Sequence, residues 1–213
     1  MKLNPLVQEI LTQTPINYNL LVLLVGRSGS GKTELEKNLV DCAGFQGVKS
    51  YTTRPKRSLN EDSHIFVGVE EFHSLGNKVA YTYFNGYEYC ATKEQLDEAQ
   101  IYVIDPDGVE YLKNCYNGKK FVIVYLDADS DTCWERMIGR GDDYYTIHSR
   151  LWNDNDVFAK FEEKADFTIN ANQSAEKVFQ DFLNLYKLIY MSDLVDEIEK
   201  EVKSWKESSQ RLP

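Results

Sequence analysis

The sequence predicts an α/β fold in which a parallel sheet is flanked by helices, and three observations carry that expectation. A continuous aliphatic run, Leu20 to Val25, leads into a glycine-rich turn and then into a helix-like segment at residues 33–42. Further apolar runs, Ile101–Ile104 and Phe121–Leu126, each end in Asp; Phe167–Ile169 follows the same plan, with helical patterns between the runs. The composition, 42% hydrophobic and 27% charged over 213 residues, has room for one domain with small appendages. An uninterrupted aliphatic run is what a strand covered on both faces requires. Alternating β and α units then imply parallel pairing.

In chain order, residues 3–11 carry apolar positions at helical spacing and stop before Pro15, which gives an N-terminal helical extension over 1–19. The main domain runs over 20–190. Within it, residues 50–92 change texture to short β-rich, Tyr-rich pieces with a turn signal at Asn85-Gly86, the mark of a small inserted subdomain. Ser174 is placed to cap a helix that runs toward Tyr190. Beyond it, Leu194, Ile198, Val202 and Trp205 keep near-helical spacing in a C-terminal helical extension over 191–213, as one helix or two. That stripe is expected to pack on the body or on a second subunit, so a homodimer is an open alternative.

Lys plus Arg number 24 against 34 Asp plus Glu, a formal charge of -10. The summed field disfavours a nucleic-acid partner, while anionic small ligands remain accessible to cations focused in one cleft. The four cysteines are widely spaced with no CxxC pair, so reduced thiols are expected and a zinc site is not. No apolar run is long enough to cross a bilayer and no signal peptide is legible, so the expectation is a cytoplasmic protein with no membrane partner.

The segment Gly26-Arg-Ser-Gly-Ser-Gly-Lys32-Thr33 fits G-x-x-x-x-G-K-[ST], a phosphate-binding P-loop of the NTPase type. Glycines permit a bend whose N–H groups surround phosphate oxygens. Ser28, Gly29, Ser30, Gly31, Lys32 and Thr33 are therefore the candidate ATP-binding residues, with Lys32 reaching the β and γ phosphates and Thr33 holding Mg²⁺. Ser50-Tyr-Thr-Thr-Arg54-Pro-Lys-Arg57 places two arginines and three hydroxyls after a presumed second strand of the main sheet, a second anion site in an acidic chain. Arg136, Arg140 and Arg150 supply the positive charge that a transferring phosphoryl group requires. The competing reading has Arg136 and Arg140 decorating a helix beside Asp142-Asp143. Asp105, at the end of an aliphatic strand, either orders Mg²⁺ or its waters or simply forms a turn before proline.

With these motifs the chain resembles the guanylate kinase family over approximately residues 20–188. The P-loop differs from the family form mainly by Arg27 in place of proline. The S-x-T-T-R-x-x-R signature is matched by Ser50, Thr52, Thr53, Arg54 and Arg57, which the resemblance makes an acceptor-phosphate clamp. Gly86-Tyr-Glu-Tyr89-Cys-Ala91 is similar to G-N-Y-Y-G-[ST], and Asp105-Pro-Asp-Gly108 to D-V-Q-G. Arg136, Arg140-Gly141 and Arg150-Leu151 correspond to the family's arginine lid, about 136–150. The resemblance implies a nucleoside monophosphate (NMP)-binding insertion with Ser50, Arg54, Arg57, His64, Tyr89 and Asp105 at the acceptor, Thr33 and Asp105 at Mg²⁺, and Lys32, Arg54, Arg136, Arg140 and Arg150 in catalysis.

The match fails at the base. The family's guanine-reading Glu and hydroxyl fall on Ala80 and Ala91, and the tyrosine of Y-x-F becomes His64, which either hydrogen-bonds phosphate or packs. The expected function is MgATP-dependent phosphoryl transfer to a ribo- or deoxynucleoside monophosphate, GMP or dGMP by resemblance. A guanylate kinase-like protein-interaction or nucleotide-binding module with altered or lost catalysis is the alternative. A GTPase switch is disfavoured, since no N-K-x-D follows Asp105-Pro-Asp-Gly108.

Overall fold

The computed structural model describes residues 5–56, 59–84, 86–159 and 161–209. Its centre is a parallel sheet of β1 (Leu20–Gly26), β6 (Ile101–Val103), β7 (Lys120–Asp127) and β8 (Phe167–Asn170) in the order β6-β1-β7-β8. Side chains alternate across a strand, so β1 divides its aliphatic run between two cores. Leu20, Val22 and Leu24 join Leu35, Leu39, Met137, Phe179 and Phe182 on one face. Leu21, Leu23 and Val25 join Leu96, Val109, Leu112 and Tyr125 on the other. These six aliphatics are at most 1% exposed, which is why the strand could carry no polar residue.

The helices that cover the sheet are α2 (Lys32–Ala43), α4 (Lys93–Glu98), α5 (Pro106–Cys115), α6 (Ser130–Gly139), α7 (Tyr144–Phe158) and α8 (Ala175–Ser209). The starts of α5, α6, α7 and α8 are capped by nearby side chains. The side chain of Asp105 caps α5 at Gly108 N, that of Asp129 caps α6 at Thr132 N, and that of Asp143 caps α7 at Tyr145 N and Thr146 N. Ser174 Oγ accepts from Lys177 N at 3.3 Å ahead of α8. The open choice between one C-terminal helix and two resolves as one continuous helix to Ser209. The N-terminal α1 (Pro5–Gln13) lies against α8, with Asn17 N donating to Tyr186 Oη at 2.7 Å just beyond it.

A second sheet is built by β2 (Tyr51–Thr52), β3 (Ile65–Phe66), β4 (Lys78–Phe84) and β5 (Tyr87–Thr92) in the order β3-β2-β5-β4, with the short helix α3 (Val69–Ser74) after β3. This corrects one expectation. The residues before Ser50 give the main sheet only a single bridge, Gly47 to Ile101, and Tyr51–Thr52 already belong to the second sheet. The stretch is Gly-Val-Lys rather than an aliphatic run, so it gives the core one buried side chain, Val48, and forms no strand there.

Candidate functional site

The turn between β1 and α2 is held in the shape that its glycines predicted. Gly29 has φ +81°, and a Cβ there would lie 2.6 Å from the Cys133 carbonyl; Gly31, at φ +97°, starts α2. Lys32 Nζ folds back onto the loop, donating to the carbonyls of Gly26 (2.5 Å) and Arg27 (2.8 Å) and to Ser30 Oγ (3.3 Å). Burial pushes its pKa down to about 8, with the nearby Asp154 carboxylate offsetting part of that shift.

Asp154 is the residue that motif reasoning missed. It lies on α7, 8% exposed, and accepts the Ser28 backbone N–H at 2.6 Å. Its neighbour Asn155 accepts from Arg27 Nη1 at 3.2 Å, and Ser130 Oγ takes the same donor at 3.3 Å. Arg27, where the resembling family has proline, therefore ties the loop to α6 and α7. The available signal was the amphipathic placement of an Asp on a core-facing helix, which names no partner by itself.

The three lid arginines take different places. Arg136 staples the loop to the start of α8, donating to the carbonyls of Ser30 (3.1 Å), Ala171 (2.8 Å) and Gln173 (2.9 Å). These contacts exclude the surface-decoration reading. Arg140 donates to Asp142 Oδ2 from Nε (3.0 Å) and Nη2 (2.5 Å), and Arg150 Nη1 lies 3.6 Å from the same oxygen. A carboxylate of the turn between α6 and α7 thus sits where these two arginines converge.

A cavity of about 940 Å³ runs from the loop across α2 to the start of α8, lined among others by Lys32, Thr33, Arg136, Arg140 and Arg150. A second, of about 480 Å³, lies between the two sheets and takes in Ser50, Arg54, Tyr89, Asp105 and Asp154. Ser28, Lys32, His64 and Arg150 border both. The candidate ATP residues therefore fall in the first cavity and the described candidate acceptor residues in the second. Arg57 lies outside the described residues.

In the second cavity Arg54 is buried and paired with Glu61 through Nη2–Oε1 (2.7 Å) and Nη1–Oε2 (3.2 Å), with its guanidinium 5.2 Å from the Phe66 ring centre. His64 shares a hydrogen bond with Ser50 Oγ at 2.9 Å and meets Tyr89 edge-on at 5.6 Å. The packing reading of His64 is met, and the side chain also borders both cavities. Asp105 Oδ1 accepts from Gly108 N (2.8 Å) and Thr82 Oγ1 (3.0 Å), the helix-capping role that competed with Mg²⁺ binding; burial raises its pKa.

Thr33 stands in the first turn of α2 on the wall of the larger cavity, which fits one hydroxyl ligand to a Mg²⁺ whose other ligands are phosphates and waters. Among the described residues no group of three or more His, Cys, Asp or Glu could hold a metal by itself.

Ala80 and Ala91 pair directly across β4 and β5 and are 2% and 0% exposed, so neither has room or chemistry to read a base edge. Of the nearby polar side chains, Thr82 faces the cavity but is engaged with Asp105. Glu88 is held on the other side by Tyr81 Oη (3.0 Å) and His73 Nε2 (2.8 Å), and Tyr83 is 65% exposed.

No family model matches the chain. Among curated proteins it is similar to mouse MAGUK p55 subfamily member 4, 34% identical over 102 residues, covering 43% of this chain and 16% of that protein's length. Among solved structures it is similar to guanylate kinase from Anaplasma phagocytophilum at 18% identity and a TM-score of 0.57, covering 81% of this chain and 86% of the other. The two matches and the two-sheet architecture agree with the motifs: this chain has the guanylate kinase fold and resembles that family in its sequence.

Proposed function

We propose that the chain is an ATP-dependent nucleoside monophosphate kinase, binding MgATP in the larger cavity and the acceptor monophosphate between the sheets. The observation that carries this reading is the shared border of the two cavities at Ser28, Lys32, His64 and Arg150. A donor and an acceptor bound on either side would meet there, in line with the lysine that the P-loop motif assigns to the terminal phosphates.

In this mechanism the chain positions and neutralises; Thr33 would contribute a hydroxyl ligand to Mg²⁺, which when bound would supply further charge neutralisation. Lys32 leaves the Gly26 and Arg27 carbonyls and turns to the β and γ phosphates. Arg140 and Arg150 exchange the Asp142 carboxylate for phosphate oxygens. Arg136 holds the loop against α8, so that its N–H groups stay aimed at the donor. Arg54, with Arg57, orients the acceptor phosphate for in-line attack. The insertion over 50–92 serves as the acceptor subdomain and the turn near 136–150 as the lid. A cytoplasmic location suits the four free cysteines, and no helix among the described residues is long and apolar enough to cross a membrane.

The test is a coupled phosphotransfer assay across ribo- and deoxynucleoside monophosphates, preceded by a thermal-shift screen with an ATP analogue, because a ligand stabilises the state that binds it. Transfer to at least one monophosphate is expected. Stabilisation by ATP with no transfer to any acceptor would favour a guanylate kinase-like binding module. Two features support that second reading: the resemblance to a MAGUK protein and the pairing of Arg54 with Glu61.

A further inference from the structure

We infer that the C-terminal half of α8 pairs with the same segment of a second copy of this chain as a parallel two-stranded coiled coil. The helix changes character near Asp193. Before it, Phe179, Phe182, Tyr186 and Ile189 are buried on the body, and Asp193 ties the same side to Lys120 Nζ at 2.5 Å. At about 100° per residue, Leu188, Met191, Val195, Ile198 and Val202 fall on the opposite side. They are 68%, 48%, 50%, 52% and 45% exposed, and every residue from 194 to 203 is exposed. The chain's own body therefore leaves this stripe uncovered; for the row expected to pack on the body or on a second subunit, Leu194, Ile198 and Val202 are exposed, so packing on the body is not met.

The spacing of the stripe identifies its occupant. The steps 188, 191, 195, 198, 202 alternate three and four residues, the a and d positions of a heptad, and the sequence continues to Trp205 at the next d; that side chain lies outside the described residues. The buried row 179, 182, 186, 189 steps in the same way but belongs to a wider face that includes Val178 and Leu183, whereas from Val195 to Lys203 only Val195, Ile198 and Val202 are apolar, the narrow a/d seam that a second helix covers. Such a seam is its own complement, which suits a two-fold contact between identical copies.

Charge selects the direction. In the parallel arrangement Glu201, at g, faces position 206 of the second copy, a lysine at e, and the two-fold axis repeats the pair. Antiparallel pairing would set Glu201 against Leu194 and Glu199 against Ser192, with no opposite charge in reach. The helix is already formed because its first half is anchored, so a short seam need not also nucleate it.

The experiment is light scattering and sedimentation equilibrium on the full chain from about 1 to 100 µM. A mass twice the 24.7 kDa chain is expected, rising with concentration. Ile198→Asp should give monomer throughout with unchanged circular dichroism, since the position is solvent-exposed in the single chain. Glu201→Lys should weaken the dimer about fivefold, and adding Lys206→Glu should restore it. A wild-type chain that stays monomeric at 100 µM overturns the proposal, as does a dimer indifferent to Ile198→Asp. Failure of the charge-swapped pair to restore overturns the parallel arrangement. None of these readings depends on phosphotransfer.

Discussion

The two cavities share a border but not a charge balance. Around the donor cavity the described residues set five cations, Lys32, Lys37, Arg136, Arg140 and Arg150, against three carboxylates, Glu34, Glu61 and Asp142. Around the proposed acceptor cavity the described residues Lys32, Arg54 and Arg150 meet an equal number, Asp105, Asp107 and Asp154. A polyphosphate is thus drawn to the first by an excess of positive charge. An acceptor in the second must instead win individual cations from their partners, as Arg54 from Glu61. Under the proposed function, the donor half would rest on backbone geometry that a motif enforces, and the acceptor half on side chains that depart from the pattern the chain resembles.

Substitutions can break or sharpen this contrast, and the largest effect is expected at the shared lysine. Lys32→Ala should lower kcat by 10²-fold or more while circular dichroism stays unchanged, because it removes charge aimed at the transferring phosphates. Retention of more than about a tenth of the activity would count against kinase chemistry.

Base selectivity should be weak on the diverged side. With Ala80 and Ala91 in place of polar readers, competition among GMP, dGMP, AMP, CMP and dTMP is expected to separate them by no more than about a hundredfold in kcat/KM. A preference above about ten-thousandfold would mean that another side chain reads the base.

Arg54→Ala should raise the KM for the monophosphate at least tenfold and that for ATP less than about threefold, in steady-state kinetics with each substrate varied. Equal changes in both would erase the division between the cavities. The variant should also lose stability, since it leaves the Glu61 carboxylate, 13% exposed, without its guanidinium partner.

The depressed lysine gives the donor side a pH signature. Free Lys32 loses its proton near pH 8 and the unfolded chain's lysine near 10.5, so the unliganded fold gains stability as pH rises through that window. Phosphates favour the charged form, so ATP binding should take up a proton above pH 8 and weaken as pH rises, measured by calorimetry in buffers of different ionisation enthalpy. Asp154→Asn removes a carboxylate that favours the charged lysine, and should move the onset to lower pH. The smallest effect is expected from Asp142→Asn, which removes the carboxylate beside Arg140 and Arg150. Because that cluster is partly exposed, ATP affinity should improve by no more than about fivefold.

The sequence by itself determined the doubly covered strand at Leu20–Val25, the glycine geometry of the loop that follows and the capping serine ahead of α8. Each is dictated within a few residues by steric freedom, local hydrogen bonding or burial on both faces. It also determined what was lost at Ala80 and Ala91, since deletion of a functional group is visible without coordinates. Only the tertiary structure decided which partner each charged side chain takes. Arg54 meets Glu61 seven residues away, but Asp154 reaches Ser28 across 126 positions and Arg136 reaches Ser30 across 106. No local pattern encodes pairs at that separation, because they exist only once the sheet has set α6 and α7 over the loop. The same holds for the helical stripe beyond Tyr190. Its period was written in the sequence, and its freedom from the body was decided by where α8 leaves the sheet.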